Sequence, residues 1–117
     1  MYAGEVVILV VFLVNSCVLL GLGIPLAMGR VGPNPLYGFR TPATLRDPAV
    51  WYPVNRVAGR WLAATAIAVA CSAAFTFFAR LGLPAAPLIN LVPLMAGVVG
   101  MVIHGALIAR RLAERRL

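Results

Sequence analysis

The side chains best equipped for chemistry in this chain crowd between positions 34 and 60: Asn34, Tyr37, Arg40, Thr41, Thr44, Trp51, Asn55, Arg56 and Arg60. Arginine presents five N–H donors in a rigid planar fork and stays charged at any ordinary pH. Arg40, Arg56 and Arg60, set among hydroxyls and an amide, therefore suit a basic pocket that takes a phosphate, a lipid headgroup or a peptide carboxylate through paired hydrogen bonds. The same residues have a second reading. A polar loop tucked between membrane helices must satisfy its own carbonyl and amide groups, and arginine, threonine and asparagine do that well. Arg30 and Arg46 read more simply as charge that orients the chain and meets anionic lipid. Arg40 is accordingly expected to matter more than Arg46, which stands beside Asp47.

Outside this stretch the chemistry is thin. Glu5, Asp47 and Glu114 are the three acids and His104 the one histidine, and they are too scattered along the chain for a carboxylate pair. One histidine with Cys17 and Cys71, both inside apolar runs, makes no metal set, and the two cysteines read as small apolar packing residues. No glycine-rich phosphate loop and no nucleophile elbow is present. The expectation is a protein without catalysis, cofactor or metal. His104 has three readings: contact with the loop, a proton-sensitive element, or a hydrogen bond to a neighbouring helix.

The elements that must position these residues are membrane helices. Of 117 residues 62% are hydrophobic and 11% charged, with a mean hydropathy of +0.97, which exceeds what a soluble domain of this size could hide. Apolar runs at about 5–28, 57–78 and 87–109 are each long enough to cross a hydrocarbon core of roughly 30 Å. The fold expected is all-α, an integral membrane protein with three transmembrane helices and an ordered loop, 29–56, between the first two; residues 110–117 form a basic tail. Asn15 and Ser16 at mid-span should face another helix. Ala66, Ala70 and Ala74, and likewise Ala96, Gly97 and Gly100, offer smooth faces for close packing. Gly82 and Pro84 turn the hairpin between the last two spans, and Asn90 suits a cap or an interhelical bond. The first span lacks a basic residue before it and reads as a retained signal anchor.

Within the loop, Asn34-Pro35 and Tyr37-Gly38 are turn pairs, and Asp47-Pro48 has the chemistry of a helix N-cap and first position. Trp51, Asn55 and Gly59 recur every four residues and would share one helix face leading into the second span. Pro53 lacks the donor for the carbonyl of Ala49, which argues against a continuous helix from Asp47 through the membrane. Trp51, Tyr52 and Trp61 fit an interfacial aromatic belt.

The net charge of +7 would suggest nucleic acid in a soluble protein, but here the arginines flank apolar spans and signal topology instead. Arg30, Arg40, Arg46, Arg56 and Arg60 in the first loop and Arg110, Arg111, Arg115 and Arg116 in the tail share one side of a three-span protein, against Arg80 alone on the other. That places the loop and C-terminus in the cytoplasm and the N-terminus outside.

The string Asn34-Pro35-Leu36-Tyr37-Gly38-Phe39-Arg40-Thr41-Pro42-Ala43-Thr44, followed by Trp51, Asn55-Arg56 and Gly59-Arg60, resembles the SdpI family of bacterial membrane proteins. The resemblance covers the loop and, by span count, the three-helix unit, a short form beside the larger protein that names the family; Pro53 is not part of the pattern. It implies immunity against a secreted antibacterial peptide or membrane sensing and signalling through a cytoplasmic regulator. It singles out Asn34, Tyr37, Gly38, Arg40, Thr41, Pro42, Thr44, Trp51, Asn55, Arg56 and Gly59, to which His104 is added, as candidates for ligand or partner binding. The expected partners are anionic headgroups of the inner leaflet, an antibacterial peptide or a cytoplasmic regulator, and further copies of the chain, with no nucleic acid. The alternative is a small oligomeric transporter or lipid-handling subunit that holds an anionic group through the arginine-rich loop.

Overall fold

The structure, a computed structural model, describes residues 2–115; Arg116, counted above with the basic tail, lies outside them. Four helices follow one another: α1 (Tyr2–Ala27), α2 (Pro42–Arg46), α3 (Pro48–Phe78) and α4 (Ala85–Arg115), with no strand among the described residues. Three of them, α1, α3 and α4, are long and apolar enough to cross a membrane. They run antiparallel in sequence along a molecule 58 Å long and about 20 Å across, with extents of 58 × 21 × 19 Å.

The central helix is α3, which packs against both α1 and α4 while those two scarcely touch each other. Its α1-facing side is built for close approach. A Cβ on Gly59 would meet the backbone of Ala27 and Gly23, and one on Gly23 would lie 2.8 Å from the carbonyl oxygen of Gly59. Bare backbone against bare backbone is the packing that small residues permit in lipid, where burial of apolar area supplies no drive between helices. Ser16 is buried and Asn15 half-buried on α1, each with a buried side-chain oxygen that carries no protein hydrogen bond.

The α4-facing side of α3 carries a polar seam. Trp61, Thr65, Ser72 and Thr76 fall on one helical stripe. The Trp61 indole N–H donates to Nδ1 of His104 at 3.0 Å, while Thr65 occupies the space over Gly97. Ser72 and Thr76 donate to Oδ1 of the fully buried Asn90 at 2.7 and 3.3 Å. Asn90 thus makes interhelical bonds. Ala96, grouped above with Gly97 and Gly100 on a smooth face, is exposed; the two glycines lie under Thr65 and Trp61.

The helix ends differ from the sequence reading in one instructive place. Rather than breaking at Pro53 ahead of the apolar run from about 57, the helix that begins at Pro48 runs unbroken through Pro53 as α3. Asp47 caps it, its side chain accepting from the amide of Ala49 at 3.0 Å, with proline at the first position. Pro53 lies only a turn and a half in, on an exposed face, so it removes a single hydrogen bond where solvent can reach the freed carbonyl. At the other end of the loop, α1 closes with Gly29 at φ +71. Its amide bonds the Leu26 carbonyl at 3.1 Å and that of Arg30 bonds the Pro25 carbonyl at 3.0 Å, the paired closure that a left-handed residue allows. Likewise α4 continues to Arg115, past the apolar run, with an exposed Arg110–Glu114 pair at 3.4 Å on the extension.

Candidate functional site

The loop between α1 and α2 carries its polar residues turned onto its own backbone. Asn34 makes an Asx turn: its Oδ1 accepts from the amides of Leu36 and Tyr37, both at 2.9 Å, and its Nδ2 donates to the Gly32 carbonyl at 2.8 Å. Arg40 donates from Nη1 to the Pro35 carbonyl at 2.7 Å, closing the same turn from the far side. Thr41 and Thr44 form a reciprocal capping box around α2. The Thr44 amide donates to Thr41 Oγ1 at 3.2 Å and the Thr41 amide to Thr44 Oγ1 at 2.8 Å, with Pro42 at the first helical position.

These local devices converge on Phe39. Its amide donates to Oδ1 of Asn55 at 2.6 Å, and its carbonyl accepts from Thr44 Oγ1 at 2.9 Å and from Asn55 Nδ2 at 3.4 Å. Asn55, 1% exposed, also donates to the Trp51 carbonyl one turn below at 3.0 Å. The Phe39 ring lies over Gly105 of α4, where a Cβ would come within 2.7 Å of it, and packs against Val50, Val54 and Ala109. One residue thereby ties the loop to both α3 and α4. Phe39 was not singled out by the sequence reading, although it stands inside the string; an aromatic between Gly38 and Arg40 was the available signal.

Trp51 departs from the expected interfacial belt. Its side chain is fully buried and its indole N–H donates to the Val31 carbonyl at 2.8 Å, across twenty residues of chain. A buried indole needs such an acceptor, and the loop supplies it. Gly38 explains the fit: its φ of +120 suits glycine, and a Cβ there would lie 2.8 Å from Asn55 Oδ1 and 3.0 Å from the Trp51 ring. Trp51, Asn55 and Gly59 do share the buried face that their spacing implies, with Gly59 turned toward α1.

The remaining candidates sit apart. Arg56 lays its guanidinium across Gly29 at the end of α1, so that a Cβ there would be 2.7 Å from Nη2. Arg40 and Arg56 are thus anchored on different segments, and Arg60 is exposed one turn beyond Arg56. Tyr37 is half-buried and lines a cavity of about 210 Å³ with Gly38 and Phe39. His104 lies on α4 against Trp61, away from the Asn55 node. Among the described residues no group of three His, Cys, Asp or Glu side chains could hold a metal ion.

The segment that contains this node, from Arg30 to Ala109, matches the SdpI/YfhL protein family. The chain belongs to that family. The matched region takes in the loop, α2, α3 and most of α4, so the family pattern spans the whole Asn55–Phe39 arrangement, whereas α1 lies before it. No curated protein and no solved structure matches the chain. Family membership and three apolar helices of spanning length make this a multi-pass membrane protein of the SdpI type.

Proposed function

We propose that this SdpI-type chain acts without catalysis, in immunity toward a secreted antibacterial peptide or in sensing it, through the face made by the loop, α2 and the adjoining helix ends. The observation that carries this reading is the use of the motif's polar groups. Asn34, Thr41, Thr44, Trp51 and Asn55 all bond loop or helix backbone, as a built, ordered surface requires and as a set of reacting groups would not. What the surface offers outward is arginine and apolar side chain. Charge bias supports placing it at the cytoplasmic side of a bacterial plasma membrane: among described residues, eight of the nine arginines lie at this end and Arg80 alone at the other. A cysteine at Ala43 should then be shielded from an impermeant thiol reagent in intact cells, and one at Ala85 labelled.

The functional test is expression in a susceptible bacterium challenged with a panel of secreted, membrane-active peptides. Protection by the parent chain, lost in Asn55→Ala at equal membrane abundance, is the expected result. Protection against none of them, or protection indifferent to the loop variant, would overturn the proposal.

A further inference from the structure

Because α1 and α4 both pack on α3 but scarcely touch each other, a groove runs between them. At the loop end it deepens into a cavity of about 210 Å³. Leu22 and Leu26 of α1 form one wall, Met101 of α4 the other, and Ala58 and Leu62 of α3 the floor. Tyr37, Gly38 and Phe39 close it from the loop. The lining is apolar apart from the tyrosine hydroxyl and loop backbone. The volume exceeds the roughly 150 Å³ void that admits benzene in an engineered protein core. Leu22, at 39% exposed, stands at the edge that opens along the helices, where the surrounding medium of a membrane protein is acyl chain.

No charged side chain lines this cavity, and the basic residue adjoining its lining in sequence is Arg40. Arg40 directly follows Phe39, and the bond from its Nη1 to the Pro35 carbonyl folds its guanidinium back to the residue two positions before Tyr37, the first of the roof, with further donors left in the fork. Arg56 is different. It lies across Gly29, and on α3 it is roughly 200° around the helix from Ala58, so it serves another face.

We infer that this cavity is a binding site for one anionic phospholipid, its acyl chain between Leu22, Leu26 and Met101 and its phosphate on Arg40. The choice of occupant rests on charge complementarity and on the medium at the open edge. It rests also on the reading that puts this end of the bundle at the inner leaflet. Inverted cysteine labelling would move the site to the outer leaflet without emptying it, so the two claims fail separately.

The test is native mass spectrometry of the full chain released from mixed micelles containing equal phosphatidylglycerol and phosphatidylcholine. Retention of one phosphatidylglycerol, favoured at least fivefold over phosphatidylcholine, is expected. Met101→Trp should fill the cavity and lower retained phosphatidylglycerol at least fivefold, with Ala58→Val as the smaller filling change if the first does not fold. Arg40→Gln should bring the two lipids to equal retention, while Arg110→Gln, on the face of α4 opposite Met101, should leave the preference intact. Equal retention by the parent chain would overturn the inference. So would phosphatidylglycerol binding that ignores both filling variants, which would be headgroup adsorption alone. Thermal stabilisation by inorganic phosphate equal to that by the lipid would reduce the site to a free-anion site and overturn it too.

Discussion

Replacing Asn55 with alanine tests whether the loop is held as a unit. The amide of Phe39 loses its acceptor at 2.6 Å in a half-buried position, where an unsatisfied donor costs about 1–3 kcal/mol. The Phe39 carbonyl loses much less, because its bond from Asn55 is long at 3.4 Å and Thr44 Oγ1 still donates to it at 2.9 Å. The Trp51 carbonyl, inside α3, keeps a helical partner. Truncating a side chain that is 1% exposed adds a small void, so the sum is about 2–4 kcal/mol. Asn34→Ala is the comparison. It removes two bonds at 2.9 Å and one to the Gly32 carbonyl at 2.8 Å, but all three lie in an exposed or half-buried turn whose backbone groups can turn to water, so about 1 kcal/mol or less is expected. Equilibrium unfolding in mixed micelles gives both numbers, and hydrogen exchange should show the Phe39 amide losing protection only in Asn55→Ala. If Asn55→Ala costs no more than Asn34→Ala and the Phe39 amide stays protected, the loop is held by something other than this node.

Gly59→Val should destabilise by about 3 kcal/mol or more in the same assay, since its Cβ would strike the backbone of α1, whereas Gly21→Ala, with nothing within 4 Å, should be neutral or slightly stabilising. A double-mutant cycle on Trp61→Phe and His104→Leu should return a coupling of about 0.5–1.5 kcal/mol, the net value of one hydrogen bond; additive losses would mean that the 3.0 Å contact is idle. Arg40→Lys and Arg46→Ala should each change stability by no more than about 0.5 kcal/mol, because both arginines are exposed and each makes a single bond to a carbonyl, at 2.7 and 3.2 Å. A loss of protection in Arg40→Lys but not in Arg46→Ala would then report binding, and equal behaviour in both assays would reduce Arg40 to an orienting charge.

Much of this molecule is legible in its sequence, and what is not has identifiable causes. The three apolar runs stand out because lipid tolerates little else. Asp47-Pro48 was readable as a cap, and the interval from Trp51 to Asn55 to Gly59 as one face, because both depend only on local chemistry and helical period. The continuity of α3 was missed because Pro53 was weighed as a breaker, when its cost is one bond at an exposed position. Helix α2 went unread although Thr41-Pro42 with Thr44 three residues on has the capping-box form. The bond between Trp61 and His104 joins residues 43 apart, and no local rule selects that pairing over the other readings of a lone histidine. Trp51 was assigned to the interface by type, since nothing in its own segment reveals that Val31 supplies an acceptor for its indole.

The two sides of α3 make different demands on sequence. Toward α1 the contact needs only absence of side chain, as at Gly23 and Gly59, and many sequences of small residues would meet that demand. The loop is more exacting: Phe39 must have its amide accepted, its carbonyl satisfied and its ring seated on Gly105 at once, by residues drawn from α2, α3 and α4. An asparagine carries its donor and its acceptor on separate atoms, so Asn55 meets both the amide and the carbonyl of Phe39, where leucine would leave that amide without its acceptor. Within a motif read as candidate ligand contacts, Thr44 and Asn55 fix Phe39, while Asn34, Arg40 and Trp51 bond other carbonyls and amides of the loop. Any ligand role is then left to the groups those bonds do not consume, the Arg40 fork and the apolar cavity beneath the loop.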